Sequence, residues 1–309
     1  MSETIYDVVI IGGGPAGLTA GLYCSRARLN TLLIEKMILG GQVMITTDVE
    51  NYPGFPGGIT GPELMERFQT HCQEFGLQVT TGDVQSIEDQ GKIKHLIVDE
   101  KEILTRSVII ATGAEPRKLG VPGEKELVGR GVSYCATCDG AFFRNATVTI
   151  NGGGDTAVEE AMFLSRFASK VYLVHRRDQL RAISLLQERL NANDKIEVVW
   201  NSTIESCEGD NSGLTHINLK NTQSGEESKL ETQGLFVAIG VTPKTSFLQG
   251  VVDLDDSGYI ITDYQCQTSV PGIFAAGDVR QSVLKQIATA VGDGATSASV
   301  VEKYLAENE

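Results

Sequence analysis

None of the 309 residues lies in an apolar run approaching the ~18–20 residues of a membrane-spanning helix, so a helical membrane protein is excluded. The start, Met1-Ser2-Glu3-Thr4, lacks the basic residues of a signal peptide, and the expectation is a cytoplasmic chain without an export address. Basic residues are scarce: 26 Lys and Arg stand against 40 Asp and Glu, a net charge of −14. Such a chain repels polyanions, which argues against a nucleic acid or an anionic membrane as partner. Low-complexity segments and long linkers are missing too. With 21% charged residues and a mean hydropathy near zero, disorder is excluded as the dominant state. The length suits two domains.

Cysteine is sparse, and most of it is scattered. Cys24, Cys72, Cys207 and Cys266 have no metal-ligand spacing, whereas Cys135-Ala136-Thr137-Cys138 is a C-x-x-C pair. Six cysteines would give only about 0.1 such pairs by chance. In a reducing compartment a close pair is redox-active or metal-binding. No second pair and no nearby His pair complete a zinc set, so no metal is expected. Glycine is what the chain has in excess, with 34 residues against an average near ~7%. Glycines gather where backbone approaches a ligand.

Residues 5–11, Ile-Tyr-Asp-Val-Val-Ile-Ile, predict a strand running into Gly12-Gly13-Gly14-Pro15-Ala16-Gly17. A helical stretch to about Arg28 follows, then a strand Thr31–Ile34 ending in Glu35. In this βαβ pattern Gly12 permits a tight turn, Gly14 lets a pyrophosphate approach the backbone, and Gly17 lets helix and strand pack closely. The helix start offers free N–H groups to phosphates, and Glu35 can accept both hydroxyls of an adenosine ribose.

The pattern recurs. Ala146–Ile150 predicts a strand, Gly152-Gly153-Gly154-Asp155-Thr156-Ala157 a second turn, and a helix continues to about Phe167. The strand Lys170–Val174 then ends in His175-Arg176-Arg177. Gly12 to Glu35 and Gly152 to His175 are both 23 positions. An acid in that slot repels a 2′-phosphate, whereas arginines bind it through charge-assisted bonds. The first copy therefore suits FAD or NAD and the second NADP(H), the bland alternative being a solvated strand end at Arg176 and Arg177.

A second echo links Ser107–Pro116 with Gly234–Pro243, both apolar strands running into Gly-x-x-Pro. The expected fold is α/β, with two Rossmann-like, three-layer nucleotide-binding domains. The second, residues 117–244, is inserted into a discontinuous first domain of residues 1–116 and 245–309. Ile273–Asp278 predicts another strand, Gln286 to about Leu305 a helix, and 205–231 surface hairpins without a job. Two nucleotide sites and a thiol pair suggest an electron relay. Flavin couples a hydride donor to a disulfide, and exchange with a second disulfide passes through a mixed disulfide. Asp139 can shuttle protons there or cap a helix start. Because thiols and nicotinamide site share one domain, relative rotation of the domains is expected to bring each to the flavin in turn.

The chain closely resembles the low-molecular-weight, bacterial-type thioredoxin reductases over essentially its whole length. The motifs carrying the resemblance are Gly12–Gly17, Gly40-Gly41-Gln42, Glu50-Asn51-Tyr52-Pro53-Gly54-Phe55, Ala111-Thr112-Gly113, Cys135–Gly140, Gly152–Ala157, His175–Arg181 and Ala275–Val279. The resemblance implies a homodimeric FAD enzyme that uses NADPH to reduce thioredoxin. It implies that Cys138 faces the flavin, that Cys135 attacks thioredoxin and that Asp139 is the acid. It implies FAD contacts from Gly12, Gly14, Pro15, Ala16, Gly17, Glu35, Gly41, Gln42, Asn51, Val84, Thr112, Gly113, Gly277, Asp278, Gln286 and Ile287. NADPH contacts are implied from Gly152, Gly154, Asp155, Thr156, Ala157, His175, Arg176, Arg177 and Arg181. Asn151, Val241 and Lys244 depart from the family pattern. The alternatives on the same scaffold are a ferredoxin-dependent reductase and a small-molecule dithiol oxidase, neither of which needs the arginine cluster. A non-catalytic flavoprotein would need no C-x-x-C.

Overall fold

The computed structural model describes residues 4–45, 49 and 51–308, apart from the side chains of Ile45, Thr137 and Cys138. The acidic start Met1–Glu3, the motif residue Glu50 and the Cys138 side chain thus lie outside the described residues. The chain divides into two compact units, residues 1–115 with 242–309, and residues 116–241.

In the first unit, β1 (Ile5–Ile11), α1 (Pro15–Arg26) and β2 (Thr31–Glu35) form the first βαβ arm. They are followed by α2 (Gly61–Glu74), β3 (Gln78–Thr81), β4 (Val84–Gln90), β5 (Ile93–Val98) and β6 (Lys101–Ile110). The returning chain adds β17 (Ile273–Ala275) and α6 (Ile287–Glu307). The sheet order is β3-β2-β1-β6-β5-β4, with β17 also on β6. β1 runs parallel to both neighbours, Val8 opposing Thr31 on one side and Ser107 on the other. Covered on both faces, it needs an unbroken Val/Ile run rather than an alternating one. Val8, Ile10, Leu33 and Ile109 pack under α1, α2 and α6. Val9, Ile11, Ile34 and Ile110 pack under Ile87, Leu96 and Val98 of the β4–β5 hairpin. Three layers result. Pro15 opens α1, where its fixed φ suits the helix and its missing N–H costs nothing.

Helices α1 and α6 meet through small residues. A Cβ added at Gly294 would sit 2.3 Å from the Ala16 carbonyl oxygen, which is backbone and cannot swing away. Gly294→Ala is therefore expected to cost about 1–3 kcal/mol of stability through overpacking, read as a lower thermal midpoint. An unchanged midpoint would mean that the two helices part freely.

The second unit repeats the plan. Its elements are β8 (Val132–Ser133), α3 (Ala136–Asp139), β9 (Thr147–Gly152), α4 (Asp155–Leu164), β10 (Lys170–Val174), α5 (Ser184–Asn191) and β11 (Ile196–Val199), and then β12 (Ser202–Asp210), β13 (Gly213–Asn221), β14 (Glu227–Glu231) and β15 (Gly234–Ala238). The parallel sheet is β11-β10-β9-β15-β8. Val148, Ile150, Leu173 and Phe236 pack against α4 and α5. On the opposite side Val174, Leu235 and Val237 pack against Ile204, Cys207, Leu214, Ile217 and Leu219. Residues 205–231 are thus not idle hairpins: the antiparallel β12-β13-β14 sheet is the third layer of this unit. α4 ends at Leu164, short of the expected Phe167, where Phe167 N–H turns back to the Leu164 carbonyl.

The connecting segments β7 (Ala114–Pro116) and β16 (Val241–Pro243) pair with each other. Beyond β16, Lys244 N–H donates to the Gly113 carbonyl at 3.1 Å, and Thr112 Oγ1 donates to the Lys244 carbonyl at 2.9 Å. The division puts Thr242, Pro243 and Lys244 with the first unit, where the sequence put them at the end of the second, and Pro116 with the second, where the sequence put it at the end of the first segment. Each unit is Rossmann-like, and the second is inserted in the first.

Candidate active site

The three glycines of the first turn answer to three different constraints. Gly12 has φ +106, and a Cβ there would lie 2.4 Å from the Ala111 carbonyl oxygen. A Cβ at Gly17 would lie 1.8 Å from the Gly12 carbonyl oxygen, so this glycine serves helix–strand packing and takes no part in lining the cleft. At Gly14 a Cβ would meet nothing within 4 Å. The space in front of Gly14 is open, as a phosphate approaching the start of α1 requires.

That space belongs to a cleft of ≈ 390 Å³ lined by Gly12, Gly14, Pro15 and Ala16 of the turn, by Glu35, Gly41 and Gln42, and by Thr112, Gly113, Gly277, Asp278, Gln286 and Ile287. Glu35 is held in this lining by two backbone N–H groups. One oxygen accepts the Gly13 N–H at 2.7 Å and the other the Met37 N–H at 3.0 Å. A carboxylate so held keeps a lone pair on each oxygen for further donors. A second helix start faces the cleft: α6 begins at Ile287 behind Gln286, whose side chain joins Thr289 in a capping box. Asn51 is absent from the lining but donates from Nδ2 to Gln286 Oε1 at 2.8 Å, which fixes that amide. Burial pushes the Asp278 carboxyl above the usual range, opposed by Lys285, whose own ammonium burial pushes down.

Val84 is buried at the start of β4, in the same core cluster as Ile34 and Val98, and its side chain is not among those lining the cleft. The sequence reading missed Met37 and Ile38, exposed apolar residues at the rim beside Glu35, and Lys244, which had been noted only as a departure. It also missed Asp293, which accepts the Gly277 N–H at 3.1 Å and both of whose oxygens lie 3.1 Å from Arg280 Nη1. No local signal pointed to it, because its partners lie 13 and 16 residues upstream.

In the second turn Gly154 is open in the same way as Gly14. Gly152 and Ala157 oppose each other, a Cβ on the glycine falling 2.4 Å from the Ala157 methyl, so both serve packing and Ala157 is wholly buried. Asp155 accepts the Ile183 N–H at 2.8 Å, and Thr156 is exposed beside it. His175 is buried, with Nδ1 2.8 Å from the Gly152 carbonyl oxygen and Nε2 2.9 Å from that of Gln179. Both nitrogens face backbone oxygens, so the ring fastens the loop to the turn. Arg181 N–H adds a bond to the Gly153 carbonyl at 2.7 Å. The position 23 residues after the first glycine therefore ties strand to turn in both copies, Glu35 taking an N–H and His175 facing a carbonyl. Arg176, Arg177 and Arg181 are exposed, and their guanidinium groups have no hydrogen bond or ion pair among the described residues.

The thiol segment lies in this second unit. Cys135 is disulfide-bonded, while Cys24, Cys72, Cys207 and Cys266 are buried and free. Burial pushes the Cys24 and Cys207 thiols up to about 12, which keeps them protonated and unreactive. Ser133 Oγ accepts the Cys135 N–H at 3.0 Å. Just upstream the buried Glu124 accepts the Leu119 and Gly120 N–H groups and the Tyr134 hydroxyl, fixing the approach to the pair. Asp139 ends α3 and makes no side-chain cap bond, so the capping role is not realised. Among the described residues no His, Cys, Asp and Glu cluster could hold a metal, and no helix is long and apolar enough to cross a membrane.

A chain with two glycine-turn Rossmann-like units and a cysteine in a disulfide has the parts of a nucleotide-linked disulfide oxidoreductase. The pyridine nucleotide-disulphide oxidoreductase family model matches residues 6–294, and the chain belongs to that family. It is 50% identical to a thioredoxin reductase of Bacillus subtilis and 49% identical to one of Listeria monocytogenes, each over 99% of this chain and 95–96% of the relative. The crystal structure of Lactococcus lactis thioredoxin reductase superposes with a TM-score of 0.82 at 46% identity, covering 98% of this chain and 99% of that one.

Proposed function

We propose that this chain is an NADPH-dependent thioredoxin-disulfide reductase, a flavoprotein that passes electrons through the Cys135–Cys138 pair to the disulfide of thioredoxin. The observation that carries the reading is the joining, in one unit, of disulfide-bonded Cys135 to three exposed, unpaired guanidinium groups beside an open glycine turn. The relatives' shared identity over full length supports it.

The first unit's cleft fits FAD. Gly14 leaves room for the pyrophosphate, two helix starts supply N–H groups, and the spare lone pairs of Glu35 suit ribose hydroxyls. When bound, FAD supplies a ring that takes a hydride from a nicotinamide and hands the electron pair to a disulfide. Asp278, Gln286 and Ile287 hold its remaining polar groups, and Asn51 keeps Gln286 in place. In the second unit Arg176, Arg177 and Arg181 bind the 2′-phosphate of NADPH, while His175 and Asp155 hold the loop that presents them. Cys138 would face the flavin, which would supply the electron pair that opens the Cys135–Cys138 disulfide; Cys135 then attacks the disulfide of thioredoxin, and Asp139 protonates the thiolate that leaves. The enzyme works as a cytoplasmic homodimer.

Steady-state turnover with NADPH and a thioredoxin tests the activity. Replacing Arg176 and Arg177 with Ala is expected to raise KM for NADPH at least tenfold more than KM for NADH, since charge-assisted bonds contribute about 1.5–3 kcal/mol each. Equal effects on both nucleotides would make the cluster a solvated strand end. Good turnover with reduced ferredoxin but not with NADPH would assign the other donor.

A further inference from the structure

Two stretches of the second unit meet at one buried carboxylate that has no part in that scheme. Glu124 is 3% exposed. Its Oε1 accepts the Leu119 N–H at 2.8 Å and the Tyr134 hydroxyl at 2.9 Å, and its Oε2 accepts the Gly120 N–H at 2.7 Å. Leu119 and Gly120 follow shortly after β7, and Tyr134 directly precedes Cys135. The Glu124 stretch is itself anchored to the third layer. The Cys207 N–H donates to the Pro122 carbonyl at 2.9 Å, and a Cβ at Gly123 would fall 1.9 Å from the Cys207 carbonyl oxygen. Around Cys135 the bonds are local: Ser133 Oγ accepts its N–H, and the Asp139 N–H donates to its carbonyl at 3.2 Å. Both stay within residues 133–139. The Tyr134 side chain carries the tie from this stretch to another.

We propose that Glu124, acting through Tyr134, is a positioning residue that holds the reduced Cys135 where the disulfide needs it, and so favours closure of the Cys135–Cys138 bond. The proposal rests on the reading of Cys135 and Cys138 as the working pair. Against glutathione the closure is balanced. The protein dithiol and one glutathione disulfide give the protein disulfide and two glutathione thiols, so one S–S bond breaks as another forms. Two electrons and both thiol protons pass to glutathione. The position of that equilibrium is the effective concentration of one protein thiol at the other, which is highest when neither has to be ordered first. With Tyr134 anchored, Cys135 already has its place in the reduced protein. With the anchor cut, the reduced stretch relaxes, and closure must order it again. Burial and the Glu124 carboxylate push the Tyr134 hydroxyl above its ordinary range, so it remains a donor where the enzyme works. Its ring packs on the core that also takes Leu119, Val121 and Cys207, which leaves the hydroxyl facing the carboxylate.

The test is anaerobic equilibration of the full-length holoenzyme in glutathione buffers of stepped thiol-to-disulfide ratio, followed by acid quenching, alkylation and mass spectrometry of the peptide holding Cys135 and Cys138. Tyr134→Phe keeps the ring in its core and leaves Glu124 two backbone donors, so it folds without an orphaned carboxylate. Its disulfide is expected to open at a squared-glutathione to glutathione-disulfide ratio roughly 3- to 10-fold lower than in the wild type, the scale of one hydrogen bond. Glu124→Asp draws the carboxylate back by one methylene and should shift the ratio the same way. The double variant should shift it no further than the larger single change, because both cut one link. A wild-type ratio in Tyr134→Phe would overturn the proposal, even with a lowered thermal midpoint, and so would additive shifts in the double variant. Where Glu124→Asp does not fold, Tyr134→Phe decides alone. The equilibration needs neither thioredoxin nor NADPH, and the peptide map shows by itself whether Cys135 and Cys138 are the pair. Failure of the reductase reading is thus seen separately.

Discussion

Cys135→Ser is expected to abolish thioredoxin turnover, by about a thousandfold or more, while FAD content and flavin reduction by NADPH stay at wild-type levels. A serine hydroxyl can take the place of the thiol without disturbing the bond to Ser133, because that bond is made by the Cys135 backbone N–H. It cannot form a mixed disulfide. The loss should therefore appear in kcat, with the anaerobic flavin-reduction phase intact in stopped-flow absorbance. Substantial turnover by this variant would sink the assigned relay, since Cys24, Cys72, Cys207 and Cys266 are all buried and poorly placed to substitute.

The second large effect is expected at Gly14. Its φ is −76, which any residue adopts, and its Cβ direction is empty. Gly14→Val should accordingly fold with a circular dichroism spectrum and apoprotein melting like those of the wild type. Yet its side chain fills the space over the start of α1 that a pyrophosphate needs, and FAD should bind about 100-fold or more weakly, some 3 kcal/mol. The expected product is a folded, colourless protein. The same change at Gly17, where a Cβ would collide with the Gly12 carbonyl, should instead lose the fold. A yellow Gly14→Val protein with full flavin content would place the pyrophosphate elsewhere.

The expectations at Gly14 and Gly17 start from glycines that the sequence already marked, and the reason is local. Strand, turn, helix and strand are consecutive in the chain, so their residue types and the 23-residue spacing record the whole unit. The roles within the unit were less legible. His175 and Arg176 are neighbours in one basic cluster, yet the first turns inward onto Gly152 while the second stays exposed. A histidine has two ring nitrogens that can reach backbone oxygens on either side, and only the packed loop decides whether they do. Val84 and Ala157 are likewise buried in their cores, which no local pattern announces. The polar stretch 205–231 hid its purpose for a related reason. A sheet that buries one face shows only every second residue as apolar, and the bulges near 204–206 and 208–209 shift even that alternation.

By itself, then, the amino-acid sequence determined the two Rossmann-like units, their order, the open glycines and the thiol pair, because each is a contiguous pattern whose backbone demands are written in neighbouring residues. Only the tertiary structure decided which residues hold those parts in place. Asn51 reaches Gln286 across 235 positions, and Thr112 reaches Lys244 across 132. A hydrogen bond between distant segments leaves no period or spacing in the chain, since its geometry exists only once both segments are packed.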